Sequence, residues 1–135
     1  MTSMDRRLLT AAKQAARRAY APYSRFKVGS AVLGGSGKVY AAANVENASY
    51  GLSMCAERVA IFAAVAAGEK RIEAVALYLP DRNACAPCGA CRQVINEFGP
   101  RARIICVNAA RKSASTTLDA MLPDAFGPGN LLGRK

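Results

Sequence analysis

Two short stretches constrain this chain more than anything else in it: Cys55-Ala56-Glu57-Arg58 and Pro87-Cys88-Gly89-Ala90-Cys91-Arg92-Gln93. Together they supply three thiols and a carboxylate at spacings that suit a zinc site with an open position. Thiolate sulfur is a soft ligand suited to zinc, and two cysteines three positions apart at a helix start can grip one ion from adjacent backbone positions. Cys88 and Cys91 form such a pair. The chain has no histidine, so the remaining donors must be Cys, Asp or Glu, and Cys55 is the best third ligand. A structural zinc site takes four protein ligands, whereas a catalytic one usually takes three and leaves the fourth position to water.

Both cysteine stretches read as helix starts. Cys55 opens an apolar run through Val65, and Cys88 follows a proline. The partial positive charge of a helix N-terminus lowers a thiol pKa and favours the thiolate that zinc needs. Three thiolates on one divalent ion leave a net negative centre, and Arg58 and Arg92, each within a few residues of a ligand cysteine, are placed to offset it. If Glu57 joined the ligands the site would close. The more productive reading makes it a general acid and base that takes a proton from the attacking water and passes it on.

At 135 residues the chain is expected to form one domain, 1–135, and its 52% hydrophobic content is too high for a disordered polymer. No apolar run approaches the roughly 20 residues that span a bilayer, and Asp5, Arg6 and Arg7 occupy the place where a leader would be apolar. Five cysteines, an odd number with metal-like spacing, point to a reducing compartment, so a cytoplasmic location is expected. The net charge of +10 invites a nucleic-acid partner. The basic residues are dispersed, however, over the first helix (Arg6, Arg7, Lys13, Arg17, Arg18), the middle (Lys70, Arg71) and the end (Arg101, Arg103, Arg111, Lys112, Arg134, Lys135), with no recognition motif among them. A solvated surface is the better reading.

Residues 4–19 set Leu8, Leu9, Ala12, Ala15, Ala16 and Ala19 on one side and charges on the other, an amphipathic helix stopped near Pro22. Its mostly alanine face would insert poorly into a membrane and suits core packing. A strand through Leu33, the turn Gly34-Gly35-Ser36-Gly37 and residues 38–43 make a hairpin, which is the wrong context for a phosphate-cradling loop. A helix over 54–67 ends at Gly68. Residues 72–79 and 103–107 read as buried strands, and 88–98 as a helix between them. Cys106 reads as a small core residue. Cys85 lies in the loop 80–87, three residues before Cys88, and competes on spacing as a fourth ligand. Beyond Asn108 the pattern weakens into a polar stretch, a turn at 117–121 and a loose tail. Asn44 and Glu46, two apart on an extended end, can point the same way and offer an amide and a carboxylate to a diol. Read alone, 44–52 is equally a turn and cap region, and Phe26 a core residue.

Zinc deaminases share a three-sulfur or mixed His/Cys zinc, a glutamate that is not a ligand and a Pro-Cys-x-x-Cys element. Asn44-Val45-Glu46-Asn47-Ala48-Ser49-Tyr50-Gly51-Leu52, Cys55-Ala56-Glu57-Arg58, Pro87 to Gln93 and Glu97-Phe98 occur here in one order. From about Ala19 to about Gly129 the chain resembles the short, tetrameric type of cytidine deaminase. The resemblance implies a three-layer α/β/α sandwich with a mixed sheet, one zinc ion per subunit on Cys55, Cys88 and Cys91, and hydrolysis of cytidine and deoxycytidine to uridine, deoxyuridine and ammonia in pyrimidine salvage. It also implies that Glu57 relays protons, Phe26 faces the pyrimidine, Asn44 and Glu46 hold the sugar hydroxyls, and the backbone N–H of Ala56 orients the base. Ala48, Tyr50 and Phe126 would reach a neighbouring subunit's pocket in a homotetramer. The family pattern leaves Cys85 out, so a free thiol is expected there. Ser30 and Ala43 depart from the pattern near the expected pocket wall. The rival readings are a deaminase of modified or antibiotic nucleosides or of polynucleotide cytosine, a closed zinc module using Cys85, and a thiol redox protein built on Cys88 and Cys91.

Overall fold

The computed structural model describes residues 1–133; Arg134 and Lys135, counted above among the basic residues, lie outside them. Five strands, β1 (Gly29–Gly34), β2 (Val39–Ala43), β3 (Ile72–Leu79), β4 (Arg103–Asn108) and β5 (Ser113–Thr117), form one sheet in the order β2-β1-β3-β4-β5. β3 and β4 run parallel, with Leu77 opposite Cys106, and the other neighbours are antiparallel. The sheet is therefore mixed, and its near-continuous apolar strand, β3, sits at the centre, as a strand buried on both faces must.

Strand alternation divides the core between two faces. Ala31, Ala74, Ala76 and Ile105 pack with Leu8 and Ala12 of α1 (Ser3–Ala16). Val32, Val75 and Ile104 pack with Ala60, Ile61 and Ala64 of α2 (Ala56–Ala66) and Ile95 of α3 (Gly89–Phe98). The α/β/α layering expected from the resemblance is what these two clusters build. Burial of a side chain such as Ile61, which is fully enclosed, stabilises by about 1.5–3 kcal/mol. Gly29 lets α1 cross β1 closely, because a Cβ there would lie 1.8 Å from the Ala12 carbonyl oxygen. Gly68, at φ +102°, ends α2 in the left-handed conformation that glycine adopts without strain, as its position predicts.

Helix α1 is capped by Thr2 and Asp5, each side chain bonding the other's backbone N–H. It stops at Ala16 although the apolar pattern runs to Ala19. The cause is non-local: Tyr20 N–H donates to the Asn44 carbonyl at 3.0 Å and Glu46 N–H to the Tyr20 carbonyl at 2.8 Å, pulling 17–20 out of the helix. Strand β5 was not expected at all. Its Ser-Ala-Ser-Thr-Thr sequence has no apolar face, and pairing along β4 makes it a strand. Short α4 (Leu118–Met121) and α5 (Pro128–Leu132) follow.

Two cysteine expectations are corrected. Cys85 is not a free thiol and Cys106 is not a lone core residue: they form a disulfide, with Cα atoms 5.6 Å apart, inside the normal range for such a bond. Cys106 lies beside Val28, Ala56 and Leu77 on the face that carries α2, and the loop bearing Cys85 packs there. Ser30 also differs from expectation. It is fully buried in β1, donates to the Ala76 carbonyl at 2.8 Å and does not border the pocket described below.

Candidate active site

The first two ligand candidates sit at helix starts. Cys55 is the N-cap of α2 and Cys88 the N-cap of α3, and neither side chain accepts a capping hydrogen bond from its helix backbone. The thiols instead face one another: the Sγ atoms of Cys55, Cys88 and Cys91 all lie within 4.8 Å of each other, and those of Cys55 and Cys88 are 3.9 Å apart. Tetrahedral zinc with metal–sulfur bonds of about 2.3 Å sets its sulfurs a little under 4 Å apart, so the donor set fits. Among the described residues no fourth cysteine joins the group, since Cys85 is held by Cys106. That removes the closed four-sulfur reading.

Arg58 donates to Cys55 Sγ at 3.3 Å from Nη2, and its Nε is buried without a partner among the described residues. A hydrogen bond from Cys91 and, after it, the Arg58 guanidinium pull the Cys55 thiol down to about 5. Cys91, fully buried and bonded to that negative sulfur, is pushed far up. Arg92 does not touch a thiol. Its Nε donates to the Pro87 carbonyl and its Nη1 to the Met121 carbonyl, both at 3.0 Å, which pins the loop ahead of Cys88 to the end of α4.

A cavity of about 630 Å³ opens beside the thiols. Cys55, Ala56, Glu57 and Cys88 form one end, and Phe26, Val28, Met54, Leu79 and Ala86 supply apolar walls. Glu57 is buried in the first turn of α2, and that burial, with the Cys55 charge nearby, raises its carboxyl to about 7. Ser24, Asn44, Glu46 and Ser53 form the other, polar end. The two ends are brought together by a closed loop in which Val45 and Met54 exchange backbone hydrogen bonds of 3.0 and 2.8 Å.

At the polar end the side chains are already engaged. Asn44 Oδ1 accepts from Val28 N–H at 2.9 Å and its Nδ2 donates to the Phe26 carbonyl at 2.8 Å. Glu46 Oε1 accepts from the N–H groups of Tyr23 and Ser24 at 3.0 and 3.2 Å, and the Ser24 hydroxyl donates to Oε2. The Ser24 hydroxyl bond is the main reason that the Glu46 carboxyl lies below the usual carboxylate range.

The cavity thus joins Phe26, Asn44, Glu46, Ala56 and Glu57 to the thiols. Ala48, Tyr50 and Phe126 do not border it. Tyr50, 76% exposed, has its ring 6.1 Å from that of Tyr23, and the exposed Phe126 holds Gln93 and Asn96 through its carbonyl. Sequence reasoning missed Ser24, Val28, Ser53, Met54, Leu79 and Ala86. Leu79 was findable, because pockets in α/β sheets open at the carboxyl ends of parallel strands, and it ends β3.

Comparison with known proteins gives the family. The sequence family described as the cytidine and deoxycytidylate deaminase zinc-binding region matches residues 2–108. The cytidine deaminase of Halalkalibacterium halodurans is 44% identical over 125 residues, covering 91% of this chain and 95% of that protein. The cytidine deaminase of Mycobacterium tuberculosis is 42% identical, covering 89% and 87%. The crystal structure of cytidine deaminase from Burkholderia pseudomallei superposes with a TM-score of 0.87 at 47% identity, covering 93% of this chain and all of that one. On the matched domain, the extent of these similarities and the three-thiol cluster beside Glu57, the chain belongs to the cytidine and deoxycytidylate deaminase zinc-binding family.

Proposed function

We propose that the protein catalyses the zinc-dependent hydrolytic deamination of cytidine and deoxycytidine to uridine and deoxyuridine, releasing ammonia, a step of pyrimidine salvage. The observation that carries the reading is that one cavity joins a three-thiol cluster and a buried glutamate to an amide and carboxylate suited to a sugar. Cys55, Cys88 and Cys91 would hold the zinc, which when bound supplies the Lewis-acid activation of water that hydrolysis at neutral pH requires. Glu57, with a proton affinity close to neutral, can accept one proton from the attacking water and pass it to N3 of the cytosine, then accept the remaining proton from the hydroxyl on C4 and pass it to the amine, which leaves as ammonia as the C4 carbonyl forms. One carboxylate therefore serves as base and as acid. The backbone N–H of Ala56 orients the base, and the Phe26 ring faces the pyrimidine. Asn44 and Glu46 take the sugar hydroxyls, and Arg58 balances the charge of the thiolates.

The active enzyme is read as a homotetramer in which Ala48, Tyr50 and Phe126 complete a neighbour's site. The support is that the Tyr50 and Phe126 rings stand exposed and clear of their own cavity. A free nucleoside is the substrate and the cytoplasm the place of action. The test is loss of ultraviolet absorbance on mixing the zinc-loaded protein with cytidine, deoxycytidine or a short cytosine-containing single strand. Turnover of the two nucleosides alone is expected. Silence on all three with zinc bound would overturn the substrate assignment and direct the search to modified nucleosides.

A further inference from the structure

We propose that Ser24 is a positioning residue for the sugar end of the cavity, aiming the Glu46 carboxylate and tying it to the backbone that carries Phe26. The inference rests on the sugar-binding reading of Glu46 given above. A carboxylate offers about four lone-pair sites. Three are taken in this structure: two on Oε1 by the N–H groups of Tyr23 and Ser24, and one on Oε2 by the Ser24 hydroxyl. The remaining site is on Oε2, so the oxygen that meets a sugar hydroxyl is the one that Ser24 aims. The same hydroxyl oxygen accepts from Phe26 N–H at 3.0 Å, which makes one side chain the link between the sugar-holding carboxylate and the ring at the base. Ser24 and Glu46 both border the cavity. Between Ser24 and Phe26 the backbone of Arg25 is left-handed, at φ +58°, a conformation unusual outside glycine, and Arg25 N–H closes the turn onto the Ala21 carbonyl at 2.9 Å. The turn is thus wound around Glu46, and its shape follows the carboxylate.

The test compares wild type, Ser24→Ala, Ser24→Thr, Glu46→Gln and the Ser24→Ala/Glu46→Gln double variant. Cytidine is the substrate, and 2′,3′-dideoxycytidine, which has the same base and no diol, is the competitive inhibitor. Ser24→Ala should raise the cytidine KM about tenfold, the worth of one hydrogen bond to a charged group, with kcat within about twofold. The dideoxycytidine inhibition constant should stay within about twofold, Ser24→Thr should recover most of the loss, and Ser24→Ala should add nothing on top of Glu46→Gln. Equal loss on both ligands, or full additivity with Glu46→Gln, would overturn the proposal and leave Ser24 a loop residue only. If Glu46→Gln itself leaves the preference for cytidine over the dideoxy compound unchanged, the sugar-site reading fails. If Glu46→Gln abolishes that preference while Ser24→Ala is silent, the positioning role alone fails.

Discussion

Glu57 and Glu46 border the same cavity, yet they shift in opposite directions. Glu57 is buried on a helix that packs on the sheet, with a negative sulfur nearby, and its proton affinity rises to about 7. Glu46 lies on an exposed loop, accepts hydrogen bonds from Ser24 and Tyr23, and its carboxyl stays below the ordinary range. On the function proposed above, two carboxylates whose environments separate their proton affinities would divide the labour: the one poised near neutrality would move protons, and the one held ionised would be an anchor. The same contrast runs through their surroundings. The thiol end is made by helix starts and core packing, the sugar end by side chains reaching across loops.

Variants at the two ends should fail in different ways. Cys88→Ser removes a ligand and should abolish zinc retention and turnover together, measured by metal analysis after gel filtration; retained zinc with normal turnover would break the ligand assignment. Arg58→Gln leaves the ligands intact but strips the donor on Cys55, and zinc affinity should fall by roughly 10- to 100-fold in competition with a chelator. At the other end, Glu46→Gln should keep zinc, lower kcat/KM for cytidine by about tenfold, mostly through KM, and narrow the preference over dideoxycytidine. A last effect, on stability and not on turnover, is a pH dependence in the chelated protein. Because the folded-state pKa of Glu57 is raised from 4.5 to about 7, its contribution is fully present below about 4.5 and is lost as pH rises through about 7. Unfolding free energy of wild type relative to Glu57→Gln should therefore fall by up to a few kcal/mol between about pH 5 and pH 8. Taking the difference removes only the part of the Cys55 contribution, opposite in sense, that does not depend on the Glu57 charge. A flat difference would mean that the Glu57 environment is less apolar than its burial indicates.

The contrast also explains what could be read from the sequence. The clustering of the three thiols was legible because their positions follow helix-start spacing, and helix starts and apolar strands leave local patterns in the chain. β3 and the C-cap at Gly68 were legible for the same reason. The polar end was only half legible: Asn44 and Glu46 could be picked as a pair, and both line the cavity, but the Ser24 contact spans 22 positions and has no local signature. Helix α1 ended early because Tyr20 pairs with Val45, again a distant partner. Cys85 and Cys106 meet because β3 and β4 run parallel and Cys106 lies opposite Leu77, a register that spacing does not show. β5 lacked an apolar face and exists through its neighbour.

The most direct test of the division of labour is the turnover of cytidine by Glu57→Gln, measured with the zinc content of the same sample. The account predicts a full complement of zinc, an unchanged fold and a rate reduced by about 10²- to 10⁴-fold, the usual worth of a general acid and base. A zinc-loaded, folded variant that deaminates cytidine at the wild-type rate would contradict it, and would move the proton-carrying role away from Glu57.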